Sequence, residues 1–219
     1  MRIAVVSEVS AVNRNPALLE ALAGRGHDVI NLGMAAEGEK PELTYIHTGF
    51  ISALALGSGV FDFVVGGCGT GQGFLNSVMQ YPGVFCGHII LPLDAWLYAR
   101  INGGNCVSLA LKQGCGWAAD VDLRFIFDRL LDGEWGSGYP PHRKESQHAS
   151  RLILQRVSVL THRGLVEIIR GLPEEVITPV LGFPRVREFI RSEEFGPEAL
   201  RAAIRERFAD PLPAGTDRR

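Results

Sequence analysis

The first 131 residues alternate between strand-length apolar runs and segments of helical length, and this alternation restricts the fold most. The runs are "RIAVV" (2–6), "HDVINLG" (27–33), "FDFVVGG" (61–67), "GVFCGHII" (83–90) and "NCVSLAL" (105–111). Apolar strands alternating with helices belong in a parallel sheet covered on both faces. Asn15-Pro16 reads as an N-cap followed by proline at the first helical position, and Gly24 and Gly26 close that helix. Further helices are expected over 42–59, 92–102 and 118–133, with a shorter one opening from the glycine-rich loop at "FLNSVMQ". Residues 133–150, "GEWGSGYPPHRKESQHAS", read as a loop or linker. Beyond it the pattern is helical, broken by Pro173, Pro179 and Pro184, and "PLPAGTDRR" at the end reads as frayed. The expected organisation is an α/β unit over residues 1–150 and a helical extension over 151–219.

Length and composition allow a sizeable core without disulfides or metal: 219 residues, 46% of them hydrophobic. With 22 basic against 24 acidic residues, neither a nucleic acid nor a membrane surface is expected as a partner. Cys68, Cys86, Cys106 and Cys115 form no CxxC pair and no zinc-type spacing with histidine, so no metal site is expected. Cys86 and Cys106 sit in apolar runs and read as buried thiols. "MRIAVVSEVS" is too short for a signal sequence, and no segment is long enough to span a bilayer. A cytoplasmic location with reduced thiols is the expectation.

Ligands collect at the carboxyl ends of parallel strands, and there the third strand runs into "GGCGTGQG" (66–73). No register of the dinucleotide fingerprint GxGxxG fits, and the loop follows the third strand rather than the first. A phosphate-binding Walker loop lacks its GK[ST] ending. A purely structural turn would use the glycines for positive φ alone. A catalytic cradle uses them differently. A strand end entering a helix N-terminus offers free N–H groups and positive dipole, which suit an oxyanion and favour a thiolate at Cys68. Such a thiolate could attack a carbonyl or remove a proton from the carbon beside one, and the loop alone does not choose.

From residue 1 to about 151 the sequence resembles the ribose-5-phosphate isomerase B / galactose-6-phosphate isomerase family. The resemblance rests on "CGTG" at Cys68-Gly69-Thr70-Gly71, "GHDVINLG" before it, Tyr45, Pro82-Gly83, and the pair Asn102 and Asn105. It implies a Rossmann-like five-stranded parallel sheet in three layers and a homodimer whose active sites draw on both subunits. It also implies interconversion of aldose and ketose phosphates without a cofactor. Cys68 would move a proton between C1 and C2 through an enediolate. Thr70, Asn102 and the amides of Gly69, Gly71 and Gln72 would stabilise the enediolate oxygens.

The chain departs from the family at three places. Where members carry Asp-His after the first strand, it has Glu8-Val9; Glu8 can still accept sugar hydroxyls, whereas Val9 cannot replace imidazole. Where they carry a histidine that opens the sugar ring, it has Ile101, which transfers no proton; His88 is a candidate substitute. An open-chain substrate follows, such as a tetrose phosphate, with a ring-closed pentose phosphate as the alternative. Of the arginines that hold phosphate, Lys112 occupies one position, as a point charge rather than a fork. "QHASR" (147–151) matches the family's RHxxR with Arg151 retained, and Arg143 lies close by. A non-catalytic sugar-phosphate binding protein is the alternative to an isomerase, although binding alone needs no thiol. A cysteine-dependent transferase or hydrolase would need a histidine brought to Cys68 by folding.

Overall fold

In the computed structural model, which describes residues 1–208, the five apolar runs become β1 (Arg2–Val6), β2 (Asp28–Asn31), β3 (Phe63–Cys68), β4 (Cys86–Ile89) and β5 (Cys106–Ala110). All pair in parallel in the order β2-β1-β3-β5-β4. The helices are α1 (Asn15–Leu22), α2 (Tyr45–Gly57), α3 (Gln72–Val78), α4 (Pro92–Leu97), α5 (Ala119–Leu131), α6 (Lys144–Thr161), α7 (Leu165–Gly171), α8 (Glu174–Gly182), α9 (Pro184–Arg191) and α10 (Glu198–Arg207). The frayed terminus expected at 211–219 lies outside the described residues.

Strand residues alternate between two cores, as a pleat requires. Ile3, Val5, Phe63, Val65, Val107 and Leu109 face α1, α4 and α5. Ala4, Val6, Val64, Cys68 and Cys106 face the opposite layer, where α2 and α3 are joined by helices of the extension. Phe74 of α3 stands directly over Gly66 of β3, where a side chain would collide with its ring. The extension therefore shares the main core: Ile169, Ile177, Val180, Phe183, Val186 and Ile204 are buried in it.

Several local expectations change. Asn15 does not cap α1. Its side chain is buried, donating to Ser7 Oγ at 2.9 Å and accepting from Asn31 Nδ2 at 3.2 Å, so it ties the ends of β1 and β2 together. The helix expected over 92–102 is α4 followed by a π-helical turn, Tyr98–Asn102. The loop expected over 133–150 is helical from Lys144 onward, and the 150/151 division falls inside α6. The remainder of that loop is pinned by Trp135, edge-on to Phe63 at 5.4 Å.

Pro173 and Pro184 mark helix starts as expected, but Pro179 lies inside α8. Proline has no N–H to give the carbonyl four residues back, here that of Glu175. The imidazole of His47 supplies the missing donor: its Nε2 lies 2.9 Å from that oxygen. His47 Nδ1 meanwhile accepts from the Thr44 amide at 2.9 Å, capping α2.

Candidate active site

Cys68 ends β3 opposite Ala110 of β5, at the carboxyl edge of the sheet. Cys68 is 6% exposed, buried in the core against the α2–α3 layer. After it the chain turns sharply. The Cys68 carbonyl accepts from Leu111 N at 3.0 Å and Gly71 N at 3.3 Å, and the Gly69 carbonyl accepts from Lys112 N and Gln113 N, both at 2.9 Å. These bonds hold the loop against the segment that follows β5. Gly71 then caps α3 with φ +77°, and a Cβ there would meet His88 Nε2 at 2.6 Å, so both backbone and space require glycine.

Around Gly69 the structure gathers several of the expected residues. A Cβ on Gly69 would sit 3.9 Å from both Lys112 Cδ and Ser10 Oγ. Ser10 in turn donates to both oxygens of the buried Glu8 carboxylate, through its amide at 3.0 Å and through its hydroxyl. Thr70 is exposed and its hydroxyl accepts from Gln72 N at 3.3 Å. Tyr45 begins α2 and lays its ring against Gly73, 3.1 Å from where a Cβ would stand, covering the first turn of α3. Of the three loop amides expected as oxyanion donors, Gly71 and Gln72 are engaged inside the loop, at 3.3 Å each. Such bonds are longer than the usual 2.9–3.0 Å and yield readily to a stronger acceptor.

His88 reaches this loop, with its Nε2 2.8 Å from the Thr70 carbonyl oxygen. A carbonyl only accepts, so Nε2 carries the proton. Folding thus brings a histidine to the cysteine loop, but aims it at the main chain.

The other expected residues lie elsewhere. Asn102 lines a cavity of about 580 Å³ together with Ile101, Trp135, Gln147, His148 and Arg151. This cavity opens beside Phe85 and Gly104, before β4 and β5, hence at the amino edge of the sheet. Five-residue β5 separates the two edges by about 13 Å of strand. Within one chain, Asn102 and Arg151 therefore do not meet Cys68. Arg151 donates to the Ile101 carbonyl at 2.9 Å and the Gly136 carbonyl at 3.3 Å. Arg143 stands at the start of α6, its Nε donating to Ser146 Oγ at 3.0 Å.

Three residues escape a reading of the sequence. Ser10 and Ser108 carry no motif and gain meaning only from the turns they bind. His148 is visible inside "QHASR", but only the fold sets it beside Ile101. Cys106 is fully buried as expected, and burial pushes its thiol well up from the ordinary value; Cys86 opposite it, also expected to be buried, is only partly so, because it lines the cavity.

Comparison with known proteins bears on the fold and the family. No curated protein matches the chain. A solved 4-deoxy-L-threo-5-hexosulose-uronate ketol-isomerase, complexed with a tartrate, is 31% identical with a TM-score of 0.89, covering 94% of this chain and 98% of that one. A ribose-5-phosphate isomerase from Vibrio parahaemolyticus is 37% identical with a TM-score of 0.88, over 94% and 98% of the two chains. Coverage of that extent takes in helices of the extension. A ribose-5-phosphate isomerase B from Clostridium thermocellum, 22% identical, covers 72% of this chain and 97% of its own with a TM-score of 0.58, a likeness of fold alone. A family model for ribose/galactose isomerases matches residues 3–123, spanning all five strands and the cysteine loop, and with those first two structures places this chain in the ribose/galactose isomerase family, as a sugar isomerase.

Proposed function

We propose that the protein interconverts an aldose and a ketose of an open-chain sugar with an anionic end, using Cys68 as the base. The observation that carries this reading is the grouping of Cys68, Thr70, Ser10–Glu8 and Lys112 around the Gly69 turn. The Cys68 thiolate removes the proton from C2 of the aldose, and the electron pair moves onto O1 to give an enediolate. The hydroxyl proton of O2 passes to O1, and the thiol returns its proton to C1. The loop amides and Thr70 hold the developing charge, and Lys112 stands at the anionic end as a point charge. Glu8, its carboxylate already fixed by Ser10, accepts a sugar hydroxyl.

Ile101 supports the open-chain form, since an isoleucine opens no ring. A tetrose phosphate satisfies this requirement, because its C4 oxygen is esterified. A uronate of the kind named for the 31% identical ketol-isomerase belongs to the same chemical class, with carboxylate in place of phosphate. His148, beside Ile101 and Arg151, favours a second reading, in which a ring-closed pentose phosphate is opened by that imidazole. Both readings need Asn102 and Arg151 near Cys68, which a second subunit would supply. Leu152, Leu154, Val159 and Leu160 of α6 stand exposed for such a partner.

The test is deuterium wash-in, followed by NMR, with erythrose 4-phosphate, ribose 5-phosphate and the hexosulose uronate. Exchange in an open-chain substrate is expected, and Cys68→Ala should lower it by at least about 10²-fold. Exchange only with ribose 5-phosphate, lost in His148→Ala, would select the second reading. Undiminished turnover in Cys68→Ala would refute the base assignment.

A further inference from the structure

Two consecutive carbonyls of the cysteine loop are held from behind. His88 of β4 donates through Nε2 to the Thr70 carbonyl at 2.8 Å, and the fully buried Ser108 of β5 donates to the Gly71 carbonyl. His88 and Ser108 are direct partners in the β4–β5 register, and Ser108 is opposite Gly66 of β3. Paired residues of parallel strands point to the same face. Gly66, Ser108 and His88 therefore form one row across the sheet, running under the loop.

From this geometry we infer that His88 and Ser108 are positioning residues that aim the amides of Gly71 and Gln72 toward the substrate. In a trans peptide the N–H lies opposite the C=O. Anchoring the Thr70 carbonyl on His88 leaves the Gly71 N–H on the opposite side of that peptide, where it donates to the Cys68 carbonyl. Anchoring the Gly71 carbonyl on Ser108 likewise leaves the Gln72 N–H on the opposite side of its own peptide. These are the amides whose present bonds, to the Cys68 carbonyl and the Thr70 hydroxyl, measure 3.3 Å each. The anchored side is short and fixed, and the free side is loosely satisfied. Such a loop needs little reorganisation when an enediolate forms, which is what an oxyanion site requires. His88 acts here as a hydrogen-bond donor, its Nε2 proton engaged by the Thr70 carbonyl rather than aimed at a sugar. Glycine at 71 is part of the device, since a Cβ would strike His88 Nε2 at 2.6 Å.

The inference rests on the reading of Cys68 as the base, and its test separates the two. Amide hydrogen exchange is followed by NMR in the full chain, alongside turnover of whichever substrate shows deuterium wash-in. His88→Leu should speed exchange at Gly71 and Gln72 by about tenfold or more while leaving Val65 in β3 protected. It should lower kcat by about 10–100-fold with KM nearly unchanged, because the loss falls on the transition state. His88→Gln, whose amide nitrogen reaches the place of Nε2, should recover both. Ser108→Ala should loosen Gln72 more than Gly71. Wild-type exchange at Gly71 and Gln72 in His88→Leu, or equal damage from Leu and Gln, overturns the inference. Cys68→Ala should abolish turnover with loop exchange unaltered. If it does not abolish turnover, the base reading fails, and the exchange comparison still decides the role of His88.

Discussion

Gly71→Ala tests the loop geometry most directly, because the protein contains its own control. Gly71 has φ +77° and Gly24, at the end of α1, has φ +74°. Alanine in the left-handed region costs about 1–2 kcal/mol at either place. Around Gly24 a new Cβ meets nothing within 4 Å, so the cost ends there. At Gly71 the Cβ would lie 2.6 Å from His88 Nε2, 2.8 Å from His88 Cδ2 and 3.1 Å from the Leu109 carbonyl carbon. The imidazole must leave, breaking its bond to Thr70 at about 1 kcal/mol, and the strand behind must yield, at about 1–2 kcal/mol more. Gly71→Ala should therefore cost about 3–5 kcal/mol against about 1–2 for Gly24→Ala. For a chain of this length that lowers Tm by roughly 6–20 °C, against roughly 2–8 °C for the control. Calorimetry of the two variants, with turnover measured beside it, makes the comparison: Gly24→Ala should keep full activity and Gly71→Ala should lose most of it. Equal Tm losses, or full activity in both, would show that the contact between His88 and the loop does not constrain the turn.

Two more expectations concern the extension and the assembly. His47→Phe removes the α2 cap and leaves the Glu175 carbonyl without its donor, which should cost about 1–2 kcal/mol in urea denaturation. In a Pro179→Ala background the restored amide can take that carbonyl. The same His47 change should then cost about 0.5–1 kcal/mol less, and equal costs in both backgrounds would refute the brace. Leu160 is 84% exposed on α6. If this face joins two subunits, Leu160→Glu should sediment as a monomer and lose turnover with Cys68 intact; a wild-type protein that sediments as a monomer would refute the dimer.

Most of the fold can be read in the sequence because its signals are local and repeat. Five apolar runs, with glycines at 24, 26 and 59 ending helices at positive φ, give a doubly covered sheet with little ambiguity. The start of α6 is hidden because its first turns, "KESQHASR", carry no apolar stripe: the helix is exposed there, so periodicity has nothing to report. Asn15 reads as a cap from its neighbour Pro16, yet Ser7 and Asn31 compete for its amide and win. Pro179 reads as a helix breaker. The donor that lets the helix continue belongs to His47, 128 residues away along the chain from Glu175, and no window of sequence contains both.

The candidate site divides along the same line. "CGTG" announces itself, because a cysteine set among glycines at a strand end breaks any apolar period, even though the fold buries that cysteine against α2 and α3. What holds that loop does not, because it comes from Ser108 and His88, ordinary residues of two later strands. The same holds for Ser10, which fixes Glu8 and faces Gly69 across the turn. A motif records the atoms that meet the substrate, whereas the groups that aim those atoms are chosen by strand order. In the order β3-β5-β4, the strand after next in sequence lies next to the cysteine strand, so Ser108 stands directly beside Gly66 and His88 one strand farther out. If the carbonyl bonds from that row fix the loop, substitutions at 88 and 108 should alter kcat without altering which sugar is chosen. The choice should instead follow Lys112 and the groups around Ile101, so that Ile101→His raises turnover of ribose 5-phosphate while His88→Leu lowers turnover of every substrate by the same factor. A His88 variant that changes the ranking of substrates would contradict this division of labour.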